Sequence, residues 1–210
     1  MDPKLLSLDE ALNQLTLRTG KLSRRQIAAL AASCGHALFP LYEYFVDQHG
    51  WGNPEVLNSA EMLAMRFAAG GETAADLVQE LRMTLEAVVP DGEYFDSPGS
   101  TFAQAVTICM DVALCAIDPL AEINPGWVEY ALEPVSITAV EEATGFTDLG
   151  SGKEAEEWSM TALRHHNVGS AYTAMWDLLE LVETRSTFSS IDFVALHSLA
   201  SGLMPKLRSN

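Results

Sequence analysis

The sequence predicts an all-α fold, a single-domain bundle of about seven to eight helices. Apolar residues recur every three or four positions through most of the chain, which is the spacing of one helix face. Capping residues and helix breakers separate these segments. No segment shows the alternation of apolar and polar residues that a half-buried strand requires. With 210 residues and 48% hydrophobic content, the chain is long enough for one buried core.

Two capping boxes open the first two helices. Ser7–Glu10 predicts a short N-terminal helix over 7–19, and Ser23–Gln26 opens a main bundle over 23–145. The apolar stripe of the second helix consists of Ile27, Leu30, Cys34, Leu38, Leu41 and Phe45. Pro40 removes one backbone hydrogen bond from this helix, so we expect a kink or a break just before it.

Prolines that follow capping residues mark the next helix starts. These pairs are Asn53-Pro54, Ser97-Pro98 and Asn124-Pro125, with Ser100 as the alternative start of the second of these helices. Thr73, with Asp76 three residues later, predicts the cap of a further helix. We expect Pro134 to interrupt the helix that follows Pro125, and Gly145 to end it.

The last third of the chain predicts a linker and two helices. The linker covers 146–152, a long helix covers 153–185, and a C-terminal helix over 190–204 packs on the bundle. All elements belong to one domain over 1–210. The aromatic stripe of the long helix offers a surface for a homodimer. Its residues are Trp158, Ala162, His165, Gly169, Tyr172, Trp176 and Leu179.

The charge of the chain is strongly negative and unevenly distributed. The formal net charge is −17, and residues 83–152 contain twelve Asp and Glu residues but no Lys or Arg. Such a field repels nucleic acid and anionic membranes and attracts basic proteins. We therefore expect a basic protein partner, no nucleic acid and no membrane. Solubility alone is the alternative explanation of the charge.

Several features predict a cytoplasmic protein. The first residues, Met1–Lys4, lack the apolar region of a signal peptide. The most apolar segment, 101–117, contains an aspartate and is too short to cross a membrane. Cys109 and Cys115 lie six residues apart on one predicted helix, so their side chains diverge. Free, buried thiols in a reducing compartment fit this pattern.

The stretch VVPDGEYFDSPGS, residues 88–100, begins the candidate partner-binding surface. The residues predicted to form it are Asp91, Glu93, Tyr94, Phe95, Asp96, Asp111, Asp118, Glu129 and Glu133. We expect the loop and the helices after it to form one negative surface with the two aromatic rings as buried anchors. Glu129 and Glu133 repel each other at i, i+4, and a basic partner would relieve that repulsion. Alternatively, the loop is only a capped turn between two helices.

Neither the loop nor the histidines match a known metal motif. Counted from Asp91, positions 5, 6 and 12 of an EF-hand would be Phe95, Asp96 and Phe102, which do not fit. His165 and His166 are adjacent, so on a helix they point about 100° apart and cannot chelate one ion together. The other histidines, His36, His49 and His197, look isolated. The sequence therefore predicts no metal ligand and no cofactor.

Motifs of catalysis are also missing from the sequence. It contains no G-x-S-x-G elbow, no Walker loop, no dinucleotide fingerprint and no C-x-x-C pair. The chain is therefore not expected to be an enzyme, and no catalytic residue is assigned. A carboxylate-dependent hydrolase with its site in the bundle remains the alternative.

Three stretches resemble a known family. PLYEYFVDQHGWGNPEVL, LEAVVPDGEYFD and VSITAVEEATG follow in the order found in the YjaG-type bacterial family of unknown function. EEW at 156–158 resembles the start of that family's long late helix, and the similarity covers about residues 21–185. The resemblance implies an all-helical, cytosolic bacterial protein. It supplies no activity and no catalytic residues.

These observations favour an acidic cytoplasmic protein that binds another protein. The most concrete form is an immunity protein that neutralises a basic toxin, such as a nuclease domain, by direct binding. Besides the hydrolase, a housekeeping helical protein with a small-molecule pocket is a further alternative.

Overall fold

The computed structural model describes residues 6–95, 97–145 and 151–205, and it is all-helical over these ranges. Nine α-helices occur in the described part, against the seven to eight expected. They are α1 (Leu8–Thr19), α2 (Arg24–His49), α3 (Pro54–Ala68), α4 (Ala75–Glu86), α5 (Pro98–Cys115), α6 (Val128–Thr144), α7 (Lys153–Thr161), α8 (His166–Glu183) and α9 (Ser190–Ala200). Short 3-10 helices cover Pro125–Trp127, Ala162–Arg164 and Ser201–Leu203.

Helix α2 lies at the centre of the bundle. Every residue from Ile27 to Gly35 is buried, and α3, α5, α8 and α9 all pack against this helix. A helix that is buried on all sides needs small or apolar residues around its whole circumference. Ser33 meets this requirement because its hydroxyl donates a hydrogen bond to the carbonyl of Ala29 within the helix. The buried side chains of the other helices join α2 in one contiguous core.

Most of the predicted helix ends are confirmed. Ser7 and Ser23 both form complete capping boxes. Asn53 and Ser97 cap α3 and α5, each with a proline at the first helical position. Gly145 ends α6 in the left-handed conformation, with φ of +78°, which glycine adopts without a steric penalty.

The two interior prolines do not break their helices. Helix α2 continues through Pro40, and α6 continues through Pro134. Each proline removes one backbone donor. Packing around each proline stabilises the continuous helix, since Leu38 and Leu41 flank Pro40 in the core and Pro134 is itself buried. The expected break at Pro40 and the expected interruption at Pro134 are therefore wrong, and a kink at Pro40 stays a prediction.

The long helix expected over 153–185 is two helices. Helix α7 ends at Thr161, a 3-10 turn follows, and α8 begins after the extended backbone of His165, with φ of −66° and ψ of 130°. The turn buries Ala162 and Leu163. The expected stripe is also used within the chain, because Tyr172 is buried and Arg18 lies over the ring of Trp176.

Two predicted helix starts shift along the chain. Helix α4 is capped at Ala74 without a side-chain hydrogen bond, so Thr73 does not act as its cap. Asn124 caps a 3-10 turn, and α6 starts only at Val128. The predicted linker over 146–152 lies mostly outside the described residues, and α7 begins directly after Gly152.

The three cysteines are free and buried, as expected. Burial raises the pKa of the Cys109 thiol to about 12, and burial together with Asp111 raises that of Cys115 to about 11. None of the helices in the described ranges has the length and apolarity needed to span a bilayer.

The turn between α7 and α8 depends on Gly169. A Cβ atom at this position would lie 2.5 Å from the carbonyl oxygen of Leu163, which is backbone and cannot rotate away. We expect Gly169→Ala to lower the free energy of unfolding by about 1–3 kcal/mol. Chemical denaturation measures this change. Ser170→Ala, an exposed change on the same helix, is the control, and an equal effect of both would contradict the steric explanation.

Candidate functional site

The loop before α5 is braced by its own hydrogen bonds. Asp91 Oδ1 accepts from the amide of Glu93 at 2.8 Å, and the carbonyl of Asp91 accepts from the amide of Phe95 at 2.9 Å. The side-chain amide of Gln104 donates to the carbonyl of Pro90 at 2.7 Å. Asp91 therefore has a structural part in this loop as well as a charge. We call Asp91–Tyr94 the acidic tip.

Phe95 fixes the acidic tip to the end of α2. Its ring centroid lies 5.0 Å from that of Phe45, 5.1 Å from His49 and 5.3 Å from Trp51. These edge-on and tilted contacts are the favoured arrangements of aromatic pairs. Phe95 is therefore an anchor within the chain, and its expected role as an anchor for a partner stays a prediction. Its neighbour Tyr94 is 83% exposed.

Asp111 and Asp118 do not extend an unpaired negative field. Arg82 on α4 places its Nε 3.1 Å from Asp111 Oδ1 and its Nη1 3.8 Å from Asp118 Oδ2. One guanidinium thus offsets part of the charge of two carboxylates. This corrects the expectation for both residues. The sequence hides the pairing because Arg82 lies just before the segment that lacks basic residues.

Glu129 and Glu133 lie at the other end of α5 from the acidic tip. Arg24, at the start of α2, donates hydrogen bonds to carbonyls of Cys115 and Ala121, whereas Phe45, near the end of α2, contacts Phe95. Helices α2 and α5 therefore run antiparallel, and the 18 residues of α5 separate the two ends by about 27 Å.

The start of α6 lies at the same end of α5 as Arg24. Pro125, four residues before Glu129, lies beside Gly20 at the end of α1. The predicted residues thus do not form one surface. Asp96 lies outside the described residues.

A second cluster joins three residues that look unrelated in the sequence. His36 on α2, Glu61 on α3 and His197 on α9 place one potential ligand atom each within 4.8 Å of the others. His36 Nδ1 lies 3.0 Å from Glu61 Oε1, and His197 Nε2 lies 3.8 Å from the same oxygen. The two imidazole rings are stacked, with centroids 3.8 Å apart. We call these residues the His-Glu-His cluster.

The environments of the two imidazoles in this cluster differ. The hydrogen bond with Glu61 raises the pKa of His36, whose side chain is 45% exposed. Burial and the adjacent His36 lower the pKa of His197. The Nε2 atom of His197 is buried and has no hydrogen-bond partner among the described residues.

No local pattern could have identified the His-Glu-His cluster. Its members come from three helices, the consecutive α2 and α3 and the distant α9, so no motif spacing links them. His36 also lies off the apolar stripe of its helix. Only the packing of α9 and α3 on α2 brings the three side chains together.

His165 and His166 form no such site. His165 Nε2 lies 3.6 Å from Glu142 Oε2, and Asn167 donates to the same oxygen at 3.2 Å. His165 precedes α8 and links it to α6.

The fold is similar to that of a solved structure. It is a DUF416 family protein from Shewanella baltica OS155, with a TM-score of 0.68, and the match covers 91% of this chain and 98% of that chain. The two sequences are 19% identical, so the likeness shows the fold alone. No protein-family model matches this chain, and no curated protein sequence matches it. The function of this chain must therefore be inferred from the geometry of the acidic tip and the His-Glu-His cluster.

The different roles of Phe95 and Tyr94 can be tested by truncation. We expect Phe95→Ala to lower the free energy of unfolding by about 1–3 kcal/mol, because it removes a half-buried ring from an aromatic cluster. Tyr94→Ala should change stability by less than about 0.5 kcal/mol, because its ring is exposed. Urea denaturation of both variants decides the matter. A larger loss for Tyr94→Ala would contradict the assignment.

Glu133 gives a pH-dependent prediction. Partial burial and the neighbouring Glu129 raise the pKa of Glu133 above the ordinary glutamate value of 4.5. A raised carboxyl pKa means that the folded state binds the proton more tightly, so stability falls as pH rises through the interval above 4.5. Glu133→Gln removes this penalty. We expect it to stabilise the protein at pH 7 by on the order of 0.5 kcal/mol.

The advantage of Glu133→Gln should disappear at pH 4 and below, where the wild-type carboxyl is protonated. Thermal unfolding across this range is the measurement. Glu122→Gln, at an exposed position, is the control for the change in net charge. A gain that stays constant from pH 4 to pH 7 would exclude the electrostatic cause.

Proposed function

We propose that this chain is an acidic protein-binding protein that uses the acidic tip to contact a basic partner. The observation that carries the proposal is the exposure of Tyr94 on a loop that is already ordered. Exposed tyrosines surrounded by charged residues are frequent hot spots of protein interfaces. A loop held in place before binding loses little conformational entropy on association.

The charge around Tyr94 supports a basic partner. Glu86, Asp91 and Glu93 lie close to it in the chain, and none of the three forms a salt bridge with a described residue. Arg82, the nearest preceding cation, is engaged by Asp111 and Asp118. Unpaired carboxylates around an aromatic side chain would steer a positively charged surface towards it.

The most concrete form of this function is an immunity protein. It would neutralise a basic toxin, such as a nuclease domain, by direct binding in the cytoplasm of a bacterial cell. The partner surface proposed is smaller than the sequence suggested, because Asp111, Asp118 and Phe95 have partners within the chain. Membership of the YjaG-type family is also a proposal, with the similar fold of the DUF416 family protein in its support.

Charge reversal at Glu93 in the acidic tip and at Glu86, which ends α4 just before it, tests this function. Immobilised wild-type protein should capture one basic protein, about one per chain, from an extract of the source organism. The double variant Glu86→Lys/Glu93→Lys should then associate with the purified partner at least about tenfold more slowly at low salt. Tyr94→Ala should act mainly on dissociation. Asp91 is left unchanged because its side chain braces the loop.

The double variant Glu122→Lys/Glu129→Lys is the matched control. It makes the same change in net charge at exposed positions near the end of α5 that is remote from the acidic tip. It should associate at nearly the wild-type rate. If both double variants slow association equally, the net charge of the protein and not the acidic tip determines the association rate. Failure to capture a stoichiometric basic protein would contradict the proposal as a whole.

A further inference from the structure

The His-Glu-His cluster has the donor atoms of a transition-metal site. It offers two imidazole nitrogens and one carboxylate oxygen, a set found in catalytic zinc sites and in non-haem iron sites. Ligand atoms about 2.0–2.1 Å from a tetrahedral ion lie about 3.3 Å apart. The observed separations of 3.0 Å and 3.8 Å from Glu61 Oε1 are close to that value.

We propose that His36, Glu61 and His197 bind one divalent transition-metal ion of the Zn²⁺ type. The proposal departs from the sequence expectation that the chain has no metal ligand. It does not depend on the acidic tip, which lies on other residues.

An ion pair alone explains only part of this arrangement. His36 and Glu61 satisfy each other at 3.0 Å. His197 then remains with a buried Nε2 atom that has no partner among the described residues, although it points to within 3.8 Å of the same carboxylate oxygen. Leaving a buried polar atom unpaired is costly. An ion shared with Glu61 and His36 would give this nitrogen a partner.

The stacked rings show what binding must change. The imidazole planes are inclined by only 11°, with centroids 3.8 Å apart, so no point within bonding distance of a nitrogen of each ring lies in the plane of both rings. A nitrogen lone pair lies in the plane of its ring, and at least one ring must therefore turn about χ2 to share an ion. This torsion has broad minima. His36 can turn because nearly half of its side chain is exposed.

The ligand set also determines the class of ion. Mg²⁺ and Ca²⁺ prefer sites made of oxygen atoms, whereas imidazole favours Zn²⁺, Cu²⁺, Ni²⁺ and Fe²⁺. With three protein ligands, a tetrahedral ion keeps one position for water. The side chain of His36 gives solvent access to this position.

Metal binding would also fasten α9 to the centre of the bundle. His197 lies on α9, while His36 and Glu61 lie on α2 and α3. An ion that binds only the folded arrangement stabilises it by mass action. Zn²⁺ should therefore raise the melting temperature of the wild-type protein.

Titration of metal-free protein tests the site. The full chain is prepared without a histidine tag, stripped with a chelator and titrated with Zn²⁺ by calorimetry. We expect one high-affinity ion per chain. We expect binding to weaken at least about tenfold in each of three variants, His36→Gln, Glu61→Gln and His197→Gln. In metal sites generally, removing even a residue that hydrogen-bonds to a metal ligand has an effect of this size. His49→Gln, an exposed histidine on the same α2 helix, should bind as the wild type does.

His36→Gln is the decisive variant because its position is half-exposed and its folding can be checked by circular dichroism. The visible absorption of bound Co²⁺ gives a second readout, and it should be lost in this variant. If the wild type binds no stoichiometric ion, or if His36→Gln and His49→Gln bind equally well, the proposal is wrong. The cluster would then be an ion pair with a stacked histidine.

Discussion

The burial of α2 on all sides from Ile27 to Gly35 is the constraint on which the rest of this structure depends. Four alanines between Ile27 and Gly35 let neighbouring helices approach closely, and a Cβ atom at Gly35 would lie 2.6 Å from Met110 Cε on α5. Because α3, α5, α8 and α9 all pack on this helix, its register fixes where their side chains lie. The acidic tip rests on its last turns, and the His-Glu-His cluster is built around its middle. Both candidate sites are therefore consequences of one central helix.

The sequence predicted the helices where local chemistry decides the structure. Capping boxes at Ser7 and Ser23 and the glycine at 145 act over a few residues, so their effects can be inferred without knowledge of the fold. It failed where tertiary packing overrides local preference. Pro134 is buried inside its helix, and Pro40 is exposed but lies between the buried Leu38 and Leu41, so packing of the helix keeps both prolines within continuous helices. The division between α7 and α8 likewise depends on the burial of Ala162 and Leu163 and on the space at Gly169.

The contrast between local sequence effects and tertiary packing also explains which parts of the candidate sites could be predicted. The loop with Tyr94 is a continuous segment, and its turn residues identify it directly. The partners of Asp111 and Asp118 could not be inferred, because Arg82 approaches them from another helix. The contact of Phe95 with Phe45 could not be inferred either, because the end of α2 is distant from Phe95 in the sequence. The His-Glu-His cluster exists only through the packing of three helices, and no spacing in a single sequence encodes that contact.

The central position of α2 has a consequence for the biosynthesis of the chain. This helix is made early, while α5, α8 and α9, which cover it, are all translated later. Bacterial and other ribosomes add about 5–20 residues per second, so the interval between the end of α2 and the appearance of α9 is on the order of ten seconds. During that time the apolar surface from Ile27 to Gly35 lacks part of its native cover. A nascent chain with such uncovered apolar surface is exposed to aggregation until its later helices are made.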